Sequence, residues 1–278
     1  MLDWDDLRHF AALADEGSLS AAARRLGVEH ATVARRVSAL EAAAGAKLVD
    51  RRSGRYVLTP AGEALAAHAH RMQDEAFAAE RALRVGSQDL AVELSLSAPP
   101  MISILLIAPR LAELRRLHPH LRLRLLGDVR NVSLSRLDAD MAVRLVRPDD
   151  PSLVGRRLAS IRYALYATAE YLAAHAEADW EFIAFDQSLD HVAQQAMLKE
   201  IAGSRPIVIR TNELMAQLAA VRCHAGIAAL PAFAGDGLVE VSGRAIERDV
   251  WLIYHRDLRG TPAITAVSAF VGECMPKA

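Results

Sequence analysis

Three short helical segments, each followed by a glycine, fill the first 45 residues of this chain and constrain its fold more than any other feature. Apolar residues recur at helical spacing over residues 4–16, and further helices are predicted over 18–26 and 30–44. The glycines that end them are Gly17, Gly27 and Gly45. Two short helices joined by a three-residue turn are typical of a helix-turn-helix, although any helical bundle can contain the same pattern.

The third helix has one apolar stripe and an opposite polar face. Four apolar residues lie within roughly 40° of one another around its axis and are predicted to be buried: Val33, Val37, Leu40 and Ala44. Arg35 points away from this stripe, and His30 lies at the exposed N-terminal tip. Such a face suits the DNA major groove, where arginine can bind guanine. An outward arginine is also common on a solvated helix.

Charge is unevenly distributed along the chain. Residues 24–55 carry eight Arg or Lys against three Asp or Glu, a difference of +5, whereas the whole chain nets −1. A local positive window suits a polyanion, or else a solvated helix face. Together with the turn and the outward arginine, it favours DNA contact.

A hairpin and a long helix follow. Residues 47–51 and 55–58 resemble short strands around a tip at 52–54, where arginines can contact phosphates or a minor groove. Thr59 and Pro60 then begin a helix that we expect to reach Val85. Its apolar residues form a coiled-coil-like seam with His68 at the one polar position: Ala61, Leu65, Met72, Ala76, Ala79 and Leu83. The seam either packs against its own chain or joins two subunits. Its position between two differently patterned regions favours the second alternative.

Residues 7–63 resemble the LysR-type transcriptional regulators of bacteria. The matching segments are Leu7-Arg-His-Phe10, Gly17 to Leu26, Ala31 to Val37, Leu40-Glu41, Gly45, Lys47-Leu48, Asp50 to Arg52 and Leu58 to Glu63. Glu29-His30, Ala34 and Val49 depart from the usual family residues. The resemblance implies a winged helix-turn-helix with these DNA-binding residues: Ser18, Ser20, His30, Ala31, Thr32, Ala34, Arg35, Arg36, Arg51, Arg52 and Arg55.

From residue 90, strand-like and helix-like segments alternate, which predicts parallel α/β sheets. Strands are expected at 92–97, 121–126, 140–144, 162–168, 182–185, 207–210 and 227–230. A helix is expected from Pro100 to just before His118, another short one after residue 126, and others at 169–177, 190–201 and 213–224. Ligands of such sheets bind at the carboxyl ends of strands, beside helix N-termini whose N–H groups suit anions.

This half resembles the two-lobed, periplasmic-binding-protein-like effector domain of the same family. The matching segments are His118 to Leu123, Asp138 to Val143, Leu165 to Thr168, Tyr171-Leu172 and Ala225 to Pro231. Family pockets lie between the lobes, and the resemblance places the effector against Ser97, Ala98, Pro99, Met101, Ile102, Ser103, Gly127, Asp128, Gln187, Thr211 and Asn212. Arg144 and Arg147, after the third of these strands, could add positive charge or form surface ion pairs.

The sequence gives little support for catalysis, for a metal or cofactor site, or for a redox switch. No phosphate-binding loop, nucleophile elbow, dinucleotide fingerprint or zinc motif occurs, so we expect no cofactor, no metal and no catalytic residue. The pairs His68/His70 and His118/His120 have no carboxylate or cysteine nearby in sequence and are interpreted as solvated. Cys223 and Cys274 are interpreted as buried thiols rather than a redox switch.

The predicted fold class is α+β overall, with a winged helix-turn-helix at 1–59, a linker and dimerisation helix at 60–89, and an α/β effector-binding domain at 90–278. Lobe I is expected at 90–161 and 238–278, and lobe II at 162–237. The predicted function is sequence-specific transcriptional regulation, with a small, anionic effector. The alternatives are a solute-binding protein or an enzyme using the cleft between the lobes.

The predicted partners are a double-stranded DNA operator, the effector, further copies of the chain in a homodimer or homotetramer, and RNA polymerase. The acidic N-terminus and the absence of an apolar run near 20 residues predict a cytoplasmic protein without membrane association.

Overall fold

The computed structural model describes residues 1–52, 55–85, 93–127 and 139–277, and within these the side chains of 51, 52, 80–85 and 242 are not described. The chain divides into two compact units, Met1–Arg84 and Val85–Ala278. No described helix has the length and apolar character needed to cross a membrane.

The first unit has the predicted helical order. Its elements are α1 (Trp4–Glu16), α2 (Leu19–Leu26), α3 (His30–Ala44), β1 (Val49–Arg52), β2 (Arg55–Leu58) and α4 (Pro60–Val85). Gly17, Gly27 and Gly45 each adopt a left-handed backbone, with φ between 64° and 68°, which ends the preceding helix. The first wing strand begins at Val49 rather than at residue 47, because the segment before it turns back toward α3.

The core of this unit is formed mainly by α1 and α3. Phe10, Leu13, Val33 and Leu40 have at most 1% of their surface exposed. The prediction that Ala44 is buried is wrong, because the chain after Gly45 folds back over a carboxylate one turn earlier. That carboxylate, Glu41, is buried in its place.

The second unit is built on one eight-stranded sheet in the order β4-β3-β5-β10-β6-β9-β7-β8. Its strands are β3 (Glu93–Ala98), β4 (Arg122–Gly127), β5 (Met141–Arg144), β6 (Leu153–Ala167), β7 (Phe182–Phe185), β8 (Ile207–Thr211), β9 (Ile227–Pro231) and β10 (Val239–His255). Its helices are α5 (Pro100–Ile102), α6 (Leu111–Leu117), α7 (Ala169–Ala174), α8 (Ala193–Ala202), α9 (Leu214–Arg222) and α10 (Pro262–Cys274).

The sheet is parallel only in part, which corrects the sequence prediction. Strands β3, β4 and β5 are parallel at one side, and β7, β8 and β9 are parallel at the other. Between them β6 and β10 run antiparallel, from Leu153 opposite His255 to Ala167 opposite Val239. Strand β6 begins well before the predicted residue 162, and β10 and α10 were not predicted.

Each side of the sheet has its own core. The β3–β5 side packs Leu96, Ile107 and Phe270 into one cluster, whereas the β7–β9 side packs Phe182 and Leu230 into two others. The β3–β5 side is lobe I, and the β7–β9 side is lobe II. The predicted lobe borders fall inside β6 and just before β10.

The helical run 100–117 leads from β3 along lobe I. It contains a widened turn at Ser103–Ile107 and a tight turn at Ala108–Arg110. The tight turn includes Pro109, which has no N–H to donate. It ends, as predicted, before Pro119, where the His118 N–H donates to the Leu114 carbonyl. The short helix expected after residue 126 lies outside the described residues.

Candidate DNA-binding surface and ligand pocket

The turn between α1 and α2 holds the helix-turn-helix together. The Ser18 hydroxyl accepts a hydrogen bond from the Ala21 N–H at 3.2 Å and so caps α2. The Tyr56 N–H donates to the Gly17 carbonyl at 2.9 Å, which fixes the wing against this turn. The wing and α2 are therefore positioned by one backbone segment, Gly17–Ser18.

The N-terminal half of α3 presents most of the predicted DNA-contacting residues. His30, Ala31 and Arg35 are exposed, whereas Thr32 and Ala34 are half-buried. Arg35 forms no ion pair with any residue in the described part of the chain. On the neighbouring helix, Ser20 is exposed as well. The start of α3 thus presents a cation and a small side chain, Arg35 and Ala31, to solvent.

Arg36 differs from Arg35 because it is held by α1. Its guanidinium lies 3.1 Å from Asp5 Oδ2 and 3.1 Å from Asp6 Oδ1. Arg8, His9 and Arg36 favour the charged form of the Asp5 carboxyl, and the pKa of Asp5 is lowered although burial opposes this. The structure therefore places Arg36 at the α1–α3 contact.

The wing carries Arg55 at its described end. Arg55 is exposed and lies opposite Arg52 in the antiparallel pair β1–β2. The side chains of Arg51 and Arg52, and the tip at residues 53 and 54, lie outside the described residues.

Glu41 connects the end of α3 to the start of the wing. Its carboxylate accepts hydrogen bonds from the Leu48 N–H at 2.9 Å, the Val49 N–H at 3.3 Å and Lys47 Nζ at 2.6 Å. Burial alone raises the pKa of Glu41, but these hydrogen bonds together lower it below its ordinary value. No sequence pattern marked Glu41 for this role.

One face of α4 packs inside the first unit, and most of the predicted seam lies on another face. Gly62, Ala66 and Ala69 are buried against the first unit, whereas Met72 is 47% exposed. Of the other seam residues, Ala61 and Ala79 are exposed, Leu65 and Ala76 are half-buried, and the side chain of Leu83 is not described. Most of the seam is therefore apolar surface that its own unit does not cover.

Two histidines of α4 differ in their surroundings. His68 is exposed, in agreement with its interpretation as solvated, and its Nδ1 lies 2.9 Å from the Arg71 guanidinium. His70 does not fit the solvated interpretation, because it is half-buried with its Nε2 3.1 Å from Asp15 Oδ1. Tertiary packing brought this carboxylate to it from α1.

The second unit contains a cavity of about 230 Å³ between lobe I and lobe II. Its apolar wall consists of Pro99, Pro100, Met101, Ile102, Leu145, Val146, Phe185, Leu189, Val192, Leu214 and Phe233. Its polar residues are Arg144, Tyr163, His191, Gln194, Asn212, Glu213 and Arg248. An apolar concave site with a few polar groups is typical of small-molecule binding.

Some of the predicted effector residues line this cavity and others do not. Those that line it are Pro99, Met101, Ile102 and Asn212. Those beside it or elsewhere are Ser97, Ala98, Ser103, Gly127, Gln187 and Thr211, and Asp128 lies outside the described residues. Ser97 is buried behind the wall, where its hydroxyl lies 3.0 Å from Arg144 Nη2.

The row of N–H donors expected after β3 is only partly present. Pro99 and Pro100 have no N–H, and the Ser103 N–H donates to the Pro99 carbonyl. The positive charge of the cavity comes from arginine side chains instead. Arg144 lines the cavity, whereas Arg147 stacks over Trp251, 5.6 Å from the ring centroid.

Arg248, Tyr163 and Gln194 were missed by sequence reasoning. Arg248 lies in β10, a strand that was not predicted, and its Nη1 donates to Gln194 Oε1 at 3.0 Å. Burial raises the pKa of Tyr163 to about 12, so its hydroxyl stays neutral. These residues become neighbours only through the antiparallel pairing of β6 with β10 and the packing of α8.

The cysteines are unlike each other. Cys223 is exposed after α9, so its interpretation as a buried thiol is wrong. Cys274 is buried in the core of lobe I, and burial raises its pKa. Among the residues that the structure describes, no group of three metal-ligating side chains occurs.

A chain that combines a winged helix-turn-helix with a two-lobed unit containing a cavity has the composition of a DNA-binding regulator with a ligand-binding domain. Comparison with known families agrees. Residues 4–63 match the bacterial regulatory helix-turn-helix of the lysR family, and residues 87–275 match the LysR substrate binding domain. The chain belongs to the LysR-type transcriptional regulators.

Individual relatives span the whole chain. It is 28% identical to the probable HTH-type transcriptional regulator LtrA of Klebsiella pneumoniae, over 98% of this chain and 94% of that protein. It is 29% identical to the Mau operon transcriptional activator of Paracoccus denitrificans, over 96% and 94%. The full-length Vibrio cholerae virulence activator AphB has the same fold, with a TM-score of 0.59, 18% identity, and coverage of 97% and 98%.

Proposed function

We propose that this regulator binds a double-stranded DNA operator through the start of α3 and through the wing. The observation that carries the proposal is the state of the arginines around α3. Arg25 pairs with Asp15 at 2.8 Å and Arg36 pairs with Asp5 and Asp6, whereas Arg35 is exposed without an ion pair in the described residues. Arg35 is therefore available to a guanine edge, and Arg55 to a phosphate.

The remaining residues of the predicted surface have supporting roles. His30, Ala31 and Ser20 add exposed contacts beside Arg35. Ser18, Thr32, Ala34 and Arg36 shape or hold the helices, and Arg51 and Arg52 extend the positive charge of the wing. A homodimer or homotetramer, joined through the exposed seam of α4, presents this surface more than once.

The ligand of the second unit is a small anion in the cavity between the lobes. Two guanidinium groups and one carboxylate face the cavity, so its charge favours a negative ligand. A regulator of this family acts where DNA is transcribed, so we place the protein in the cytoplasm, with RNA polymerase as a further partner and without catalytic activity.

A mobility-shift assay on the full-length protein tests this function. Pooled fragments of the source genome should contain retarded species that survive excess nonspecific competitor DNA. Arg35→Ala should raise the protein concentration needed for the competitor-resistant shift, because the loss of one base contact costs about 1–3 kcal/mol. Arg244→Ala is the matched control, because Arg244 is exposed on β10 in the second unit and pairs with Glu200, and it should retain the shift. No competitor-resistant species for the unmodified protein would leave a solute-binding protein or an enzyme as the better interpretation.

A further inference from the structure

The charged groups that face the cavity have unequal partners. Arg144 donates to the Ser97 and Val143 carbonyls, at 3.3 and 2.8 Å, and to the Ser97 hydroxyl. The Glu213 carboxylate accepts from the Met215 N–H at the start of α9. Both are thus engaged by the protein's own backbone.

Arg248 is the exception. It is half-buried, and its one described hydrogen bond goes to the neutral amide of Gln194, which is itself only 4% exposed. No carboxylate among the described residues forms an ion pair with it. A guanidinium removed in part from water without a counter-ion is costly, and a ligand anion would offset that cost through charge-assisted hydrogen bonds.

The walls and the size of the cavity restrict the rest of the ligand. Most of the lining is aliphatic or aromatic, with Phe185 and Phe233 both contributing. The volume of about 230 Å³ exceeds the roughly 150 Å³ of an apolar cavity that holds benzene, and corresponds to roughly nine to twelve non-hydrogen atoms. Two guanidinium groups against one carboxylate leave a single positive charge, which matches a monoanion better than a phosphate dianion.

We propose that Arg248 is the anion-binding residue of this cavity and that the effector is a monocarboxylate with an apolar body. The inference rests on the proposed function and deepens it. The carboxylate lies against Arg248 at the β10 side, and the apolar body lies against Met101, Phe185 and Phe233. The segment Pro99–Ile102 after β3, part of the predicted effector site, then contacts the apolar body rather than the charge.

Isothermal titration of the full-length protein with a defined panel tests the proposal. The panel contains benzoate, phenylacetate, 3-phenylpropanoate, hexanoate and 4-methylpentanoate, each with its primary amide and its amine. At least one carboxylate should bind ten-fold or more tightly than its own amide and amine. It should also raise the melting temperature in proportion to its concentration relative to Kd.

Substitutions then test whether Arg248 contacts the carboxylate. Arg248→Gln should weaken the binding of that carboxylate by ten- to a hundred-fold and change the affinity for its amide by less than two-fold. Arg248→Lys keeps the charge but not the planar pair of donors, so it should lose less affinity, and it serves as the test if the glutamine variant does not fold. Arg244→Gln, on the same strand and outside the cavity, should stay within two-fold of the unmodified protein.

Three results would overturn the proposal. They are a panel in which no carboxylate binds more tightly than its amide, a glutamine variant that keeps full affinity for the carboxylate, or an equal loss in Arg244→Gln. DNA binding is measured separately. A protein that binds the carboxylate through Arg248 but no DNA contradicts the proposed function, whereas one that binds DNA but no carboxylate contradicts the anion-binding role of Arg248 alone.

Discussion

At the residue scale, neighbouring arginines of the first unit have different environments. Arg35 faces solvent, while Arg36, one residue later, is turned by 100° around the helix and meets the carboxylates of α1. Helical spacing predicted the outward direction of Arg35. It could not predict the ion pairs of Arg36, because Asp5 and Asp6 lie thirty residues away in sequence and approach only through packing.

Substitution of Arg35 and Arg55 should separate base recognition from phosphate contact. Arg35→Ala should cost about 1–3 kcal/mol on the operator and relax the preference at one base position per half-site. Arg55→Ala should weaken all duplexes alike and reduce the salt dependence by about one phosphate contact per protomer. Selection from a random duplex library at two salt concentrations measures both effects. An unchanged motif for Arg35→Ala, with an altered motif for Arg55→Ala, would reverse the assignment.

Glu41 should make the stability of the first unit depend on pH. Its folded-state pKa is lowered, so its contribution is present above the unfolded-chain pKa of about 4.3 and is lost as pH falls through the folded-state value. Glu41→Gln should destabilise the protein by about 1–3 kcal/mol at pH 7, since buried N–H groups lose a charged acceptor. The variant should also show a shallower loss of stability between roughly pH 5 and 3.

Chemical denaturation at several pH values measures this effect. Glu75→Gln is the control, because Glu75 is exposed on α4. Equal losses for the two variants at pH 7 would contradict the role of Glu41.

At the scale of elements, α4 meets the wing at a glycine. A Cβ on Gly62 would overlap the Leu48 carbonyl oxygen. Gly62→Ala should therefore destabilise the protein by about 1–3 kcal/mol through overpacking, although alanine favours helices. Gly272→Ala in α10 is the matched control, since its Cβ would lie 4.0 Å from the nearest atom, and it should be neutral or stabilising by up to about 1 kcal/mol. Thermal denaturation of both variants decides, and a stabilised Gly62→Ala would contradict this packing.

The seam of α4 should pair two copies of the first unit. Met72 is apolar and 47% exposed, so residues 1–89 alone should form dimers at tens of micromolar, and Met72→Glu should weaken them. Analytical ultracentrifugation measures the association. A fragment that stays monomeric, or dimers indifferent to Met72→Glu, would refute the assignment of the seam.

Elements defined by local signals were predictable from the sequence. The bounds of α1, α3 and α4 follow from helical spacing, glycine ends and the Thr59-Pro60 start. Strand β10 was missed because it is long, carries many charged residues and has no clear alternation. Its antiparallel pairing with β6 is a long-range contact that a single sequence does not mark.

At the scale of the whole molecule, the sequence predicted more of the structure of the first unit than of the second. The helix-turn-helix follows from local patterns, and its exposed face agrees with the helical projection of α3. The cavity combines residues from α5, β5, β6, β7, α8, α9 and β10, so its lining depends on topology. The sequence therefore predicted part of the lining of this cavity but not that Arg248 faces it.

The central claim is that the protein recognises specific DNA sequences through α3. Sequencing the genomic fragments retained by purified full-length protein tests it most directly. We predict a small enriched set sharing a motif with two half-sites about one helical turn apart, or further if the DNA bends. Arg35→Ala should retain these fragments more weakly, with a relaxed preference at one base position per half-site. Retained fragments without a shared motif, or the same motif retained by Arg35→Ala, would contradict recognition through α3.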